Sequence, residues 1–444
     1  MTGDMNDTSF LRAIFRRIAK NFGWGLSGEA GGTLFGIAYL AVAARAIGAE
    51  GLGLIAIAVA YMRIMNRLFR LEPWQTAIRY GIGPLEAGET ARFKQVIKFS
   101  ILVDALSGIT ASVAIVGVAW YVAPLLGAQR MVSEFLAILA VATLVEFRST
   151  GIAILRMFDR FDLLAKADVA VAAARLLLAI LAYAFGLGLW AFLLITLFEA
   201  VANALLPLAI ARTQLRRRGY AGILRESLAG FRSDNPAILR YLWNSNLNVM
   251  IRQTAQRLDV VILSLLVGVR EVGYYHVARR LGDAAMKLSR PLMQAIFPEF
   301  ARLWTSENRA LLKKLVLRGS TVIGLVGFGL IVPIAVLMPG ILVTFLGPDF
   351  GNASSVVVVQ FGAMVIYMSG AVFQSALMSI GCDRQVVRVT LAGSVIFLLS
   401  LAPLVLATGI VGASIAHVLF NSVMTLGFYR IFRQVLLERD AERP

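Results

Sequence analysis

Two neighbouring apolar segments of the chain carry polar and charged side chains at regular intervals. In segment 241–267 the recurring polar residues are Asn244, Asn248, Arg252, Gln256 and Asp259. In segment 272–297 they are Arg279, Asp283, Lys287 and Arg290. Spacings of three and four residues place each set on one face of a helix. Guanidinium and ammonium groups on such a face are suited to binding an anion, because each offers several charge-assisted donors.

The composition predicts that these helices lie in a membrane. Of the 444 residues, 59% are hydrophobic and 16% are charged, and the mean hydropathy is +0.76. A soluble domain of ordinary composition has about 25% charged residues. We therefore expect an all-α integral membrane protein. Because a charge in hydrocarbon is costly, its polar helix faces are expected to point into the bundle or a water-filled cavity.

The net charge of +17 would suggest a nucleic-acid partner for a soluble chain. In a membrane protein, basic cytoplasmic loops account for most of it, so we expect no nucleic acid. The single cysteine, Cys382, excludes a disulfide framework and a cysteine-based metal site. Two histidines, His276 and His417, are too few for a histidine-rich metal centre. We expect no metal, no cofactor and no catalytic residues.

Stretches long enough to cross the membrane, about 20 mostly apolar residues each, predict twelve spans. The predicted spans are 22–46, 51–71, 97–122, 131–154, 167–186, 188–211, 241–267, 272–297, 315–338, 353–379, 386–407 and 410–431. Basic residues cluster in alternate loops, whereas the intervening loops hold Arg45, Arg130 and Arg270. The positive-inside rule then places both termini in the cytoplasm.

The basic central loop divides the predicted spans into two sets of six. We expect an N-terminal six-helix lobe at 1–211, a basic cytoplasmic linker at 212–240 and a C-terminal six-helix lobe at 241–444. Charged and apolar residues alternate at helical spacing from 222 to 243, which favours an amphipathic segment on the inner membrane surface. The predicted outer loops are short, and no extramembrane domain is expected.

An internal repeat relates the two predicted lobes. Segment Ile47–Ala58 aligns with Val267–Ala278, where a tight outer turn is predicted at Gly268–Gly273. The aligned pairs are Gly48 with Gly268, Gly53 with Gly273, Ala58 with Ala278, Arg67 with Lys287 and Arg70 with Arg290. A weaker echo matches 157–162 with 381–386 through a shared Asp-Arg pair. Two halves repeated in the same orientation are typical of transporters.

The basic residues at membrane depth are the candidate binding groups. They are Arg63, Arg67, Arg252, Arg279, Arg280 and Lys287, which we interpret as the lining of a cationic cavity. Alternatives stay open for several of them. Arg279 is also placed to bridge to Asp283 on the same helix, and Arg252 to form an interhelical clamp. Arg70 and Arg290 lie near the inner boundary, where snorkelling to the interface competes with a site.

Acidic residues in the predicted spans allow a second role. Glu29 is a lone carboxylate in the first span, a candidate for binding a coupling proton or cation or for pairing with a basic residue. Asp259 and Asp283 are further candidates for coupling or pairing. The remaining acids are interpreted as packing or helix-end groups: Asp104, Glu146, Asp168 and Glu199. His417 and Asn421 are interpreted as polar packing.

The whole pattern resembles a known group of transporters. The stretches ARAIGAEGLGLIAIA and LDVVILSLLVGVREVGYYHVARRL, with Asp-Arg at 159–160 and 383–384, resemble the multidrug/oligosaccharidyl-lipid/polysaccharide (MOP) exporter superfamily. Within it, the chain is similar to the polysaccharide-transporter branch, the oligosaccharide flippases or O-antigen translocases. Lipid II flippases of the same superfamily typically carry fourteen spans, and no extra pair is found here.

The resemblance implies a V-shaped, two-lobed bundle like that of the multidrug and toxic compound extrusion (MATE) transporters. It implies a flippase of the bacterial inner membrane that moves an undecaprenyl-diphosphate-linked oligosaccharide from the inner to the outer leaflet. Membrane lipids are then its surroundings, and a polysaccharide polymerase and glycosyltransferases are candidate partners. The chain has no GxxxxGK[ST] motif for ATP.

Three other functions compete with this expectation. A cation-coupled multidrug exporter would need carboxylates in its cavity, but basic residues outnumber acidic ones on the predicted lining faces. A membrane-embedded glycan polymerase or glycosyltransferase usually carries a large outer loop with catalytic groups, and none is predicted. A purely structural partner would not need buried charges at matching positions of two repeats.

Overall fold

The computed structural model describes residues 4–122, 130–254 and 258–441, and these residues form helices and short connections. The helices are α1 (Asp4–Phe69), α2 (Trp74–Glu86), α3 (Thr90–Gly117), α4 (Arg130–Leu144), α5 (Arg148–Met157), α6 (Phe161–Ala184), α7 (Leu189–Arg217), α8 (Phe231–Asp234), α9 (Ile238–Thr254), α10 (Leu258–Leu266), α11 (Val269–Thr305), α12 (Arg309–Leu346), α13 (Ser354–Ser379), α14 (Asp383–Thr408) and α15 (Val411–Ala441). The predicted all-α membrane fold is confirmed.

Among the described residues, nine helical stretches are long and apolar enough to cross a membrane. The first, Leu26–Phe69, covers the first two predicted spans. Its helix bends at Gly48, whose φ of 64° and ψ of −174° fall outside the helical region. Glycine adopts this conformation readily because it lacks a Cβ. The bend lies between the two predicted spans, and the total of twelve stays a prediction.

The seventh and eighth predicted spans coincide with α9, α10 and α11, which are not among the nine, and α9 and α10 are shorter than any of those stretches. The predicted turn at Gly268–Gly273 is wrong in extent. α10 ends at Leu266 and α11 begins at Val269, so Gly273 lies inside a helix. A Cβ on Gly273 would overlap the carbonyl oxygen of Ala49. Close approach to another backbone, rather than a turn, explains this glycine.

The central linker differs from the predicted amphipathic segment. α7 continues through Arg217, and two short turns, Ile223–Arg225 and α8, replace a continuous helix. Phe231 and Ile238 are buried in a hydrophobic core with residues of α3, α5 and α7. Glycines with φ of 74° at Gly222 and 76° at Gly230 precede the two turns and interrupt helical geometry. The cytoplasmic position of this linker stays a prediction.

The chain forms two compact units that are described separately. The first comprises Met1–Tyr39 and Tyr61–Thr254, and the second comprises Leu40–Ala60 and Ala255–Pro444. The first unit has a hydrophobic core built from α2, α3, α5 and α7, and the second has one built from α11 to α15. The lobes predicted at 1–211 and 241–444 are continuous segments of the sequence. The division of the chain into these two lobes stays a prediction.

The second predicted echo is out of register by two residues. α5 ends with Asp159 in the left-handed region, at φ 53°, and the Arg160 amide bonds to the Leu155 carbonyl at 2.8 Å. α13 ends in the same way with Gly381 at φ 85°, and the Cys382 amide bonds to the Leu377 carbonyl. These are equivalent helix C-termini, but Asp159 matches Gly381 rather than the aspartate two residues later.

Candidate functional site

The second unit contains a buried polar cluster centred on Asp259. This residue lies in the first turn of α10, where free amides and the helix dipole favour a carboxylate. Its Oδ1 accepts a hydrogen bond from the Val260 amide at 2.8 Å, and the residue is 1% exposed. A carboxylate at this depth requires compensation by donors and positive charge.

Three side chains from two other helices supply that compensation. Tyr275 and Arg279 lie four residues apart on one face of α11. The Tyr275 hydroxyl donates to Asp259 Oδ2 at 2.6 Å, and Arg279 Nη1 lies 3.2 Å from the same oxygen. From α15, His417 Nε2 lies 2.8 Å from Arg279 Nη1, 2.8 Å from Tyr275 Oη and 3.6 Å from Asp259 Oδ2. We call these four residues the Asp259 cluster.

A second buried cluster lies in the first unit and is centred on Arg70. Arg70 is 8% exposed, and its guanidinium lies 3.1 Å from Asp104 Oδ1 and 3.1 Å from Glu146 Oε1. It also donates to the Glu146 carbonyl. Asp104 Oδ2 accepts from the Thr150 amide at 3.0 Å and from its hydroxyl at 2.6 Å. Arg70 is therefore a cation buried within the protein and paired with two acids.

Two further ion pairs join helices of the first unit. Arg148 donates to Asp168 at 2.8 Å and to the Asn203 carbonyl at 3.1 Å. Arg175 donates to Glu199 at 2.7 Å, and its guanidinium lies 3.5 Å from the centre of the Tyr39 ring. The acids that we interpreted as packing groups thus all pair with arginines. These contacts fix helices to one another and place a guanidinium beside each carboxylate, with Asp104 and Glu146 sharing Arg70.

The structure joins some of the predicted site residues and separates others. Arg279 pairs with Asp259 of another helix, and Asp283 adds a favourable charge interaction with it. Arg67 pairs with Glu72 at 3.3 Å, while Arg63, on the same helix, is exposed.

The other candidates are distributed over both units. Arg280 and Lys287 are half-buried on α11, and Glu29 is half-buried on α1. The side chain of Arg252 lies outside the described residues. Across the described residues, no three His, Cys, Asp or Glu side chains are arranged for a metal ion. Whether the basic residues bind a ligand stays a prediction.

The sequence did not identify Tyr275 and His417 as members of the Asp259 cluster. His417 is interpreted there as polar packing together with Asn421, and Asn421 does donate to the Ala363 carbonyl at 2.7 Å. A histidine on an apolar helix was the available signal, since the chain holds only two. The partners of His417 lie on helices that are distant in the sequence, and a single sequence does not indicate which of these residues are in contact.

Comparison with known proteins supports the resemblance drawn from the sequence. The profile of a polysaccharide biosynthesis protein family matches residues 42–355. The inner membrane protein YghQ of Escherichia coli K12 is 24% identical over 332 residues, which are 74% of this chain and 92% of YghQ. The probable low-salt glycan biosynthesis flippase Agl15 of Haloferax volcanii is 26% identical over 173 residues, 38% of this chain and 36% of Agl15.

Solved structures share the fold. An inward-facing multidrug resistance MATE family transporter of the MOP superfamily has a TM-score of 0.68 at 16% identity, covering 95% of this chain and 96% of the transporter. The lipid II flippase MurJ, in an inward closed conformation, has a TM-score of 0.66 at 14% identity, covering 90% of this chain and 86% of MurJ. The predicted MATE-like fold is confirmed. The match over 42–355 spans most of the chain, which therefore belongs to the polysaccharide biosynthesis protein family.

Proposed function

We propose that this protein is a flippase that moves an undecaprenyl-diphosphate-linked oligosaccharide from the inner to the outer leaflet. The transported unit is a repeat of an O-antigen, exopolysaccharide or similar polysaccharide. Transport proceeds by alternating access, and the anionic head group binds to basic side chains rather than to a metal. The proposed binding residues are Arg63, Arg67, Arg252, Arg279, Arg280 and Lys287.

The family match is the observation that carries this proposal. It includes the polar helices α9 to α11 and the part of α1 from residue 42 onward, with the bend at Gly48. The name of Agl15 describes it as a probable flippase of glycan biosynthesis, and MurJ, which shares the fold, is described as a lipid II flippase. A flippase for a lipid-linked saccharide agrees with both descriptions and with the basic residues proposed to bind the cargo within the membrane.

The physical chemistry of the cargo agrees with basic binding residues. A diphosphate carries about two negative charges and does not cross hydrocarbon unaided. Guanidinium groups replace its hydration with paired, charge-assisted hydrogen bonds. Moving a negative charge out of a cell that is negative inside releases about 2.3 kcal/mol per charge per 100 mV. A driving force therefore exists without nucleotide hydrolysis.

A cation-coupled multidrug exporter is the alternative that the fold alone permits. Such a protein needs carboxylates that can receive an organic cation. Within the described residues, five acids of the helices are engaged by arginines, and Glu29 and Asp283 stay the candidates for binding a cation: the five are Asp104, Glu146, Asp168, Glu199 and Asp259. Replacing an arginine partner with an organic cation would leave that arginine buried and unpaired, which costs several kcal/mol. These pairs favour an anionic cargo.

The proposal places the protein in the bacterial inner membrane as a multi-pass transporter without enzymatic activity. YghQ, a relative along most of its length, is described as an inner membrane protein. Both termini are proposed to be cytoplasmic, since the predicted basic loops and both chain ends fall on the same side. A polymerase and glycosyltransferases are the proposed partners, because a flipped oligosaccharide must first be built and later joined.

Deleting the gene in its native host tests this function. The proposal expects undecaprenyl-diphosphate-linked oligosaccharide to accumulate on the cytoplasmic leaflet, and plasmid-borne protein to restore export. Mass spectrometry of extracted lipids measures the amount, and an added glycosidase that cannot enter the cell reports the outer leaflet. Normal glycan export together with new sensitivity to cationic dyes would favour the multidrug exporter instead.

A further inference from the structure

The hydrogen-bond geometry of the Asp259 cluster places opposing requirements on Nε2 of His417. Nε2 of this ring lies 2.8 Å from Arg279 Nη1. A guanidinium only donates hydrogen bonds, so Nε2 must present a lone pair to it. This contact therefore favours the neutral ring, with its proton on Nδ1. The other state of an imidazole is the cation, in which both ring nitrogens carry protons and Nε2 is a donor.

Tyr275 places the opposite requirement on the same nitrogen. Its single hydroxyl proton is directed to Asp259 Oδ2 at 2.6 Å, the shorter of its two contacts. Its oxygen then presents a lone pair to His417 Nε2 at 2.8 Å, a contact that is favourable only when Nε2 carries a proton. Neutral His417 accepts from Arg279, while Asp259 receives both the Tyr275 hydroxyl and the charge of Arg279 at 3.2 Å. Arg279 is held between an acidic and a neutral partner.

Protonation of His417 would reverse these relationships. An Nε2–H group would face the N–H of Arg279 at 2.8 Å, two donors and two positive charges in contact. The oxygens within reach of that proton are Tyr275 Oη and, at 3.6 Å, Asp259 Oδ2. Imidazolium would then neutralise Asp259 and repel the guanidinium. His417 and Arg279 compete for one buried carboxylate.

The other charges around His417 do not remove this competition. α11 contributes Asp283, which interacts with both His417 and Arg279. α13 packs along α15 and contains no Asp, Glu, Lys, Arg or His. The one titratable residue type in α13 is tyrosine, at Tyr367. α14 presents the Phe397 ring, 4.6 Å from the His417 ring, and its charged residues lie within its first two turns.

We propose that His417 is a proton-binding site that positions Arg279. The neutral ring holds Arg279 beside Asp259, and the protonated ring releases Arg279 to bind the anionic head group of the cargo. The last step rests on the proposed function, whereas the proton-binding step does not. Since coupling between two ligands is reciprocal, bound anion also strengthens proton binding. His417 itself need not touch the cargo.

Nitrogen NMR tests the proton site directly. The chain has two histidines, so full-length protein labelled with ¹⁵N-histidine, purified without a histidine tag and placed in lipid nanodiscs gives two ring systems. His417→Gln assigns them. We expect His417 near neutral pH to show a protonated Nδ1 and an unprotonated Nε2, and to become imidazolium on acidification. In Arg279→Gln the titration midpoint should rise by about one pH unit or more.

Two outcomes of that experiment would overturn the inference. One is a protonated Nε2 in the wild-type protein near neutral pH, a result that needs no variant. The other is a titration midpoint that Arg279→Gln leaves unchanged in a protein with wild-type thermal stability. Arg279→Lys keeps the charge and serves as the matched control, and its midpoint should stay close to that of the wild type.

Ligand binding tests the coupling to the cargo. Undecaprenyl diphosphate is titrated into nanodiscs containing wild-type protein or His417→Gln between pH 5.5 and 8. Glutamine can accept from Arg279 but cannot become a cation. The wild type should bind about tenfold more tightly at low pH than the variant, and the two should agree at high pH. An unchanged pH profile in His417→Gln would overturn the coupling. Absence of binding at every pH would instead contradict the proposed function, and the NMR result would still decide the proton site.

Discussion

Gly53 and Gly273 occupy equivalent places in a reciprocal helix contact. A Cβ on Gly53 would overlap the carbonyl oxygen of Val269, and a Cβ on Gly273 would overlap the carbonyl oxygen of Ala49. The offset of 220 residues that relates the two glycines also relates Ala49 to Val269. The two repeated segments therefore meet as a symmetric pair, each placing its glycine against the first turn of the other. Both segments belong to the second compact unit.

This contact predicts that neither glycine tolerates a side chain. Gly53→Ala and Gly273→Ala should each lower the free energy of unfolding by about 1–3 kcal/mol, because backbone must move to admit the methyl group. Thermal unfolding of the purified variants measures the loss. Gly36→Ala is the matched control on α1, since no heavy atom lies within 4 Å of its added Cβ. Equal stability of all three variants would show that the close approach is not required.

The Arg70 cluster predicts a large loss of stability when one partner is removed. Asp104→Ala leaves Arg70 paired with Glu146 but removes the acceptor of the buried Thr150 donors, which should cost about 1–3 kcal/mol. Arg70→Met leaves the buried carboxylate of Asp104 without a cation and should cost more, about 3–5 kcal/mol. Glu89→Ala disrupts the exposed pair with Arg92 and should change stability by less than about 1 kcal/mol. A harmless Asp104→Ala would contradict the structural role of this cluster.

Chemical labelling of single cysteines tests the predicted topology. After replacement of Cys382 by serine, single cysteines at Arg218 and Arg309 should react only when the cytoplasmic face is accessible. Cysteines at Gly127 and Asn352 should react with an impermeant reagent added to intact cells. The reason is the alternation of basic and non-basic loops. Labelling of positions 218 and 352 from the same side would rule out the twelve-span arrangement.

Substitution of Glu29 tests whether a coupling proton or cation binds to the first helix. If its carboxylate carries a proton or cation through the cycle, Glu29→Gln should slow glycan export and flatten its pH or ion dependence. Glu29→Asp keeps the charge and should retain part of the dependence. Export is measured across pH and sodium concentration at matched protein levels. Wild-type export and dependence in Glu29→Gln would assign Glu29 to packing or pairing.

Much of the fold was predictable because hydropathy and glycine placement are local signals. The bend at Gly48 falls between the first two predicted spans, and the repeat of Gly53 in Gly273 corresponds to a real contact. The extent of the 268–273 turn was not predictable. Glycine permits both a turn and a close helix crossing, and only the neighbouring backbone decides between them.

The polar residues show the same limit more strongly. The polar face containing Arg279 was visible from its spacing, but its partner was not. Asp283, four residues away, was the local candidate, whereas the ion pair forms with Asp259 on another helix. Arg70 likewise pairs with an acid 34 positions away. Burial and pairing depend on tertiary contacts, so sequence spacing identifies a charged face better than it identifies what the face binds.

Arg279 is unsuitable as the first test of cargo binding, because Arg279→Glu would place a second carboxylate against buried Asp259. Arg280, the next residue on α11, and Arg63, exposed on α1, are better positions. Arg280→Lys keeps the charge but loses the planar fork and should cost less than charge reversal. Arg217→Glu, at an exposed arginine at the end of α7, is the matched control for a change in net charge.

The most direct measurement is export of undecaprenyl-diphosphate-linked glycan by the Arg63→Glu, Arg280→Glu double variant, read alongside its abundance in the membrane. Each reversal removes a charge-assisted contact of about 1.5–3 kcal/mol and adds repulsion toward an anionic cargo. Export should therefore fall at least about tenfold while abundance stays near that of the wild type and of Arg217→Glu. Normal export by a double variant present at wild-type abundance would contradict cationic binding of the cargo.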